Sequence, residues 1–212
     1  FNPNYKSSQA RSVDNYPYML ANTSYRQQSL DLKNDKSKVD PRLKLSTGQP
    51  YVDEYINEKG NKTYYDRSTE VNNRPDLLTW QHRKFTNIRG VEMGSAPYGK
   101  NQSSDANYFI VRLADIYLLY AELIKDEKSD VALEYINKVH RRAYGYSSDS
   151  PSPFDYTSLT DRTKTADSND HLAHDVLKYE RWAELFAEGQ WWLDVRRWRI
   201  GQKEADFYKE TR

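Results

Sequence analysis

The spacing of apolar residues changes character near residue 109. Beyond it they recur at helical intervals: Leu113, Ile116, Tyr117, Tyr120 and Ile124 mark one face of a first helix, which Leu118 and Leu119 widen. A second helix is expected after Ser129 or Asp130, with Ala132, Tyr135, Ile136, Val139 and Ala143 on its stripe. Only the charged turn Lys125 to Lys128 separates the two, so they should pack as an antiparallel pair, the unit from which tetratricopeptide-like arrays are stacked. From residue 147 to 169 the chain is rich in Ser, Asp and Thr, contains Pro151 and Pro153, and reads as a long surface loop. A third helix is expected from the cap candidates Ser168, Asn169 and Asp170. Its buried stripe would be Leu172, Val176, Tyr179, Ala183 and Phe186, and it would run toward a stop at Gly189.

Before residue 109 the pattern is different. Six of the eight prolines and five of the eight glycines lie there, and no apolar period outlasts a single turn. Residues 1–108 are therefore expected to be a loop-rich layer. Tyr51 to Ile56 and Thr63 to Asp66 could form short strands, and the turn formers Asn57, Gly60 and Asn61 between them suggest a hairpin. Residues 109–212 should form a helical region, which makes the chain mainly α.

Charge adds a constraint on the last helices. Glu180, Glu184 and Glu188 fall four residues apart, which on a helix stacks like charges and calls for cations nearby. Arg196, Arg197 and Arg199 follow the Gly189 break, and Arg141 and Arg142 lie on the earlier helix. The guanidinium fork meets a carboxylate bidentately and its flat face can lie on Trp. Glu180, Glu184, Glu188 and Asp194 are thus expected to pair with Arg196, Arg197 and their neighbours in a tryptophan-lined ion-pair network that docks the helices.

Composition narrows the function classes. Thirty-two Lys and Arg nearly balance 31 Asp and Glu, so no bulk field favours nucleic acid. Absence of Cys removes disulfides and thiolate metal sites. No apolar run approaches the ~20 residues that a spanning helix needs. The sequence contains no Gly-rich phosphate loop, nucleophile elbow or metalloprotease helix. His171 and His174 can share a helical face beside Asp175, but two imidazoles are an incomplete ligand set, and no metal is expected.

The segment from Tyr179 to Trp198 resembles the C-terminal signature of the SusD/RagB family. Its matching positions are Glu180-Arg181, Glu184-Leu185, Glu188-Gly189, Asp194-Val195 and Arg197-Trp198. Ala187 stands where the family usually has Phe, and Trp191 where it usually has Arg. Upstream, Arg112-Leu113-Ala114-Asp115 is similar to the family's Arg-Leu-Ala-Asp/Glu helix. Ala132 to Ala143 resembles its Ala-Leu-x-Tyr-Ile-Asn-x-Val-Arg-x-Arg-Ala helix, with His140 in place of the first Arg, and Asp40-Pro41-Arg42-Leu43 is similar to an Asp-Pro-Arg element. The resemblance implies a mainly helical SusD-like domain, the C-terminal part of a longer protein whose signal peptide, lipid anchor and N-terminal helices lie outside this chain.

It also implies capture without catalysis. A member of this family would hold a glycan or oligosaccharide at the outer-membrane surface and pass it to a SusC-like TonB-dependent transporter, with no cofactor. Membrane attachment would come only through the lipid anchor. Aromatic faces suit the C–H surface of a sugar ring, so candidate contacts are Trp80, flanked by Gln81 and His82, and Tyr51, Tyr55 and Tyr98 in the polar half. Two alternatives remain open. Glu184 and Glu188 could be the carboxylate pair of a glycoside hydrolase, or the helix pair could be a scaffold for a protein partner.

Overall fold

The computed structural model describes residues 40–48, 54–56, 61–64, 81–82, 84, 109–163 and 170–210. The chain divides into two compact units, one holding residues 44–108 of the described range and the other residues 40–43 and 109–210.

In the first unit, β1 (Thr47–Gly48) pairs antiparallel with β4 (Gln81–His82), placing Thr47 opposite His82. Strands β2 (Glu54–Ile56) and β3 (Lys62–Tyr64) form an antiparallel hairpin with Tyr55 opposite Thr63. The hairpin falls where the two runs and the turn formers between them placed it; residues 51–53 and 65–66 of those runs lie outside the described residues. The β1–β4 pair was not expected, because two residues carry no period. A short helix, α1 (Pro41–Ser46), leads into β1.

The second unit is built on helices α2 (Leu113–Ile124), α3 (Ser129–Ala143) and α4 (Val176–Glu184), which pack pairwise. The Lys125 to Lys128 turn returns the chain so that α2 and α3 are antiparallel neighbours, as their spacing predicts. Ala114, Leu118, Ala121, Ala132, Ile136, Val139, Val176 and Leu177 form one buried cluster. Alanines at the contact let the helix axes approach closely, so that Leu118 and Ile136 are enclosed entirely. Burying each of these two side chains contributes roughly 1.5–3 kcal/mol.

Helix α2 buries a different face from the one its largest residues suggest. Leu113, Ile116, Leu119, Tyr120 and Leu123 are exposed, and the stripe Ala114, Leu118 and Ala121 faces the core. Tyr117 and Ile124 of the expected face are half-buried against that core. Apolar residues surround this helix, so their spacing identifies a helix without identifying its inward side. Charge settles the orientation, since Asp115 on the inward side is buried and paired.

The third helix also differs from its expected bounds. Asp170 caps a turn, accepting from Leu172 N at 3.0 Å, and the helix itself starts at Val176 after Asp175, whose carboxylate accepts from Lys178 N at 3.1 Å. Leu172, Val176, Tyr179 and Ala183 are buried as predicted. The helix stops at Glu184, five residues before Gly189. Ala187 (φ 62°) and Gly189 (φ 81°) both adopt the left-handed conformation and redirect the chain into α5 (Gln190–Arg197). Glu188 therefore lies in the turn and does not continue the Glu180–Glu184 row. Gln190 Nε2 reaches Ile110 O at 3.5 Å while Arg197 and Trp198 reach Glu122, so α5 runs alongside α2 in the same direction. Helix α6 (Gly201–Glu210) ends the described chain. None of the described helices is long and apolar enough to cross a membrane.

Candidate functional site

Four carboxylates of the α4–α5 region, Glu180, Glu184, Glu188 and Asp194, sit at the centres of the buried ion pairs. Glu180, fully buried on α4, receives the Arg42 fork, with Nη1 donating to Oε2 at 2.7 Å and Nη2 to Oε1 at 3.1 Å. Arg42 also donates to Asp40 through Nε at 2.9 Å and Nη2 at 2.7 Å. Asp40 precedes Pro41, the first residue of α1, and its Oδ1 accepts from the Arg42 backbone N–H at 2.9 Å, so one carboxylate both caps the helix and orients the guanidinium. Tyr156 donates its hydroxyl to Glu180 at 3.0 Å, His140 Nδ1 lies 2.7 Å from the same oxygen, and Tyr179 donates to Asp40 at 3.1 Å. Burial alone would raise the Glu180 pKa. The charges of Arg42 and His140, with their hydrogen bonds, outweigh it and hold this carboxyl well below the usual carboxylate range.

The second centre is Glu184 with Glu188. Arg112 donates to Glu188 through Nε at 2.7 Å and Nη2 at 2.8 Å, to the Glu184 carboxylate through Nη1 at 2.6 Å, and to the Glu184 backbone oxygen through Nη2 at 2.6 Å. Arg142 also donates to Glu184, and Arg42 approaches it at 3.5 Å. Burial opposes ionisation here as well, and Arg42, Arg112 and Arg142 overcome it to lower the Glu184 pKa.

The third centre joins α2, α4 and α5. Arg181 bridges Asp115 at 2.9 Å and Asp194 at 2.8 Å, both buried. Arg197 donates to Asp194 at 2.7 Å and to Glu122 at 2.5 Å, where Trp198 Nε1 also donates at 2.7 Å. The Arg197 guanidinium lies 4.3 Å from the centroid of the Trp198 ring, a cation–π contact on the network's edge.

Of the residues expected in the network, Glu180, Glu184, Glu188, Asp194 and Arg197 are in it. Arg196 is exposed and makes no ion pair among the described residues, because it sits about 200° around α5 from the inward-facing Asp194. Most counter-charges come from Arg42, Arg112 and Arg181, which charge spacing overlooked. All three occupy motif positions, which was the available signal. Trp182 is buried between Tyr179 and Phe186, and Trp191 packs edge-on to Trp198 while donating to Glu204 at 3.0 Å. Trp192, by contrast, is exposed and outside the packed cluster.

The two histidines do not converge. His171 Nε2 lies 2.5 Å from Glu204, whereas His174 Nδ1 faces the Thr160 carbonyl at 3.4 Å. Among the described residues no group of three or more His, Cys, Asp or Glu is placed to hold a metal ion.

Of the candidate ligand contacts, Trp80, Tyr51 and Tyr98 lie outside the described residues, and Tyr55 occupies the middle of β2. The second unit holds a row of rings that periodicity did not single out. Tyr156 lies 4.4 Å from His140, His140 4.5 Å from Tyr144, Tyr144 4.6 Å from Phe154 in a stacked arrangement, and Phe154 5.7 Å from Tyr146. Its inner end is hydrogen-bonded to Glu180 and its outer ring is exposed.

No curated protein and no solved structure matches the chain. One family model, described as the SusD family, matches residues 4–211.

Proposed function

The chain belongs to the SusD family, and from that premise we propose that it captures a glycan at the cell surface without chemically altering it. The family is one of carbohydrate- and nutrient-binding proteins. For this chain the finer reading is an oligosaccharide held by aromatic stacking and hydrogen bonds, then passed to a SusC-like TonB-dependent transporter in the outer membrane. Attachment would come from a lipid anchor on the full-length protein. Trp80, Tyr51, Tyr55 and Tyr98 are the proposed ligand contacts of the loop-rich half, since each offers a flat apolar face and a polar edge.

The family match carries the proposal, and the state of the carboxylates supports its non-catalytic part. A glycosidase needs one carboxyl kept protonated near neutral pH and poised as an acid. Glu184 is instead held ionised by three arginines, and Glu188 is clamped by Arg112. Glu184 is therefore not the protonated acid that such chemistry requires. The exposed Leu113, Ile116 and Leu123 on α2 favour protein binding as a second reading.

Affinity electrophoresis and calorimetry against a panel of soluble polysaccharides test the proposal, with Trp80→Ala alongside and a reducing-end assay in parallel. Binding that weakens in the variant, with no release of reducing ends, is the expected outcome. New reducing ends would establish a hydrolase. Failure to bind any glycan would remove the capture reading and leave the protein-binding one.

A further inference from the structure

We propose that Tyr146, backed by Phe154 and Tyr144, forms a second carbohydrate-stacking platform, for the apolar face of a pyranose ring, on the helical unit. The inference rests on the glycan-capture reading and adds a place where the sugar sits. Three observations lead to it.

The first is the arrangement of the rings. Phe154 stacks on Tyr144 at 4.6 Å with an interplanar angle of 25°, and Tyr146 adjoins Phe154 at 5.7 Å and 48°. Tyr146 is 42% exposed while Tyr144 and Phe154 are half-buried, so the row opens to solvent at its outer end and is anchored at its inner one. An exposed ring supported from behind by a contiguous row of rings offers a surface suited to an apolar sugar face.

The second is rigidity. A stacking surface loses affinity if it must be ordered on binding. Here the loop that carries Tyr146 and Phe154 is tied to the buried Arg141. That guanidinium donates to the Ser148 carbonyl at 3.0 Å, to Asp155 at 2.6 Å and 2.9 Å, and to Glu134 at 2.8 Å. Tyr146 N donates to the Arg141 carbonyl at 2.9 Å, which fixes its backbone directly. Between the two tyrosines, Gly145 adopts φ +81°, and a Cβ placed there would meet nothing within 4 Å. The backbone beside the rings is therefore open to a ligand.

The third is the polar fringe. Ser147, Ser148 and Asp149 follow Tyr146 in the chain, and Asp149, ion-paired with Lys138, presents its carboxylate at the surface. Hydroxyls of a sugar need such groups at the edge of the aromatic face. The outer face of α2 exposes mainly Leu and Ile side chains, which have no hydrogen-bonding edge and would leave those hydroxyls unpaired. A neutral pyranose fits the aromatic platform better than the aliphatic face.

The test uses the 212-residue chain and a panel of maltoheptaose, cellohexaose, xylohexaose, laminarihexaose and mannohexaose. Affinities are measured by calorimetry for wild type, Tyr146→Ala, Tyr146→Phe and Trp80→Ala. Ring contacts of the bound sugar are read by saturation-transfer NMR. The platform predicts that Tyr146→Ala weakens the best ligand about three- to tenfold, the scale of one exposed ring contact, while Tyr146→Phe stays near wild type. Tyr146 is exposed, so its removal leaves the core packing in place and a folding defect does not confound the result. If a glycan binds and Trp80→Ala weakens it while Tyr146→Ala does not, the platform is wrong and glycan capture stands. If no sugar of the panel binds to wild type, both are overturned.

Discussion

At the scale of single residues, Glu180 concentrates most of what holds the helices together. Its two oxygens receive Arg42 twice, His140 and Tyr156, all within about 3 Å. A buried carboxylate without such partners would be expelled or protonated, so its depressed pKa measures how far the partners exceed the burial penalty. Because the folded pKa lies below the unfolded value, the stabilisation is fully present above roughly pH 5 and is lost as pH falls toward the folded pKa. Urea midpoints measured from pH 7 to pH 3 should therefore decline steadily below pH 5. In Glu180→Gln the decline should be shallower, and stability at pH 7 should fall by about 3–5 kcal/mol, because Arg42 loses its buried counter-charge. An unchanged acid slope in the variant would place the titration elsewhere. The glutamate was visible in the sequence, and so was its need for a cation. Its partner was not, because Arg42 lies 138 positions away and nothing in local spacing links the two.

At the scale of elements, helix identity was easier to read than helix orientation or extent. The α2–α3 pair follows from period and turn length alone, and the hairpin from turn residues between two short runs. The buried side of α2 does not follow, since Leu and Ile occupy most of its circumference and the decision falls to small Ala residues that allow close packing. The premature end of α4 was hidden for another reason. Ala187 takes a conformation (φ 62°) that its sequence does not advertise, unlike Gly189, so Glu184 and Glu188 looked like one helical row. A pair of truncations checks the orientation of α2. Leu118→Ala, in the enclosed core, should cost about 2–5 kcal/mol in chemical denaturation. Leu123→Ala, on the exposed face, should change stability by less than about 0.5 kcal/mol. Equal losses at the two sites would mean that the outer face is covered in solution.

At the scale of the whole molecule, the helical unit cannot be cut where the hydrophobic pattern changes. The shift at residue 109 is real in composition, yet Asp40 to Leu43 belong with the helices, because Arg42 supplies the main counter-charge to Glu180 and Tyr179 is hydrogen-bonded to Asp40. Removing residues 1–108 would leave Glu180 with His140 and Tyr156 alone, and Glu184 without its 3.5 Å contact to Arg42. The desolvation of both carboxylates would remain, and the attraction that offsets it would be reduced. A chain of residues 109–212 is accordingly expected to unfold at least about 3 kcal/mol more easily than the full chain, with a melting transition that is lower and broader. Supplying Asp40 to Ser46 on a short Gly/Ser linker should recover part of the difference, and the same addition carrying Arg42→Met should not. Equal stability of the full and shortened chains would show that the helices satisfy their own carboxylates. The motif order, from Asp40-Pro41-Arg42 through Arg112 to Glu180 and Glu188, would then reflect something other than the closure of one charge network.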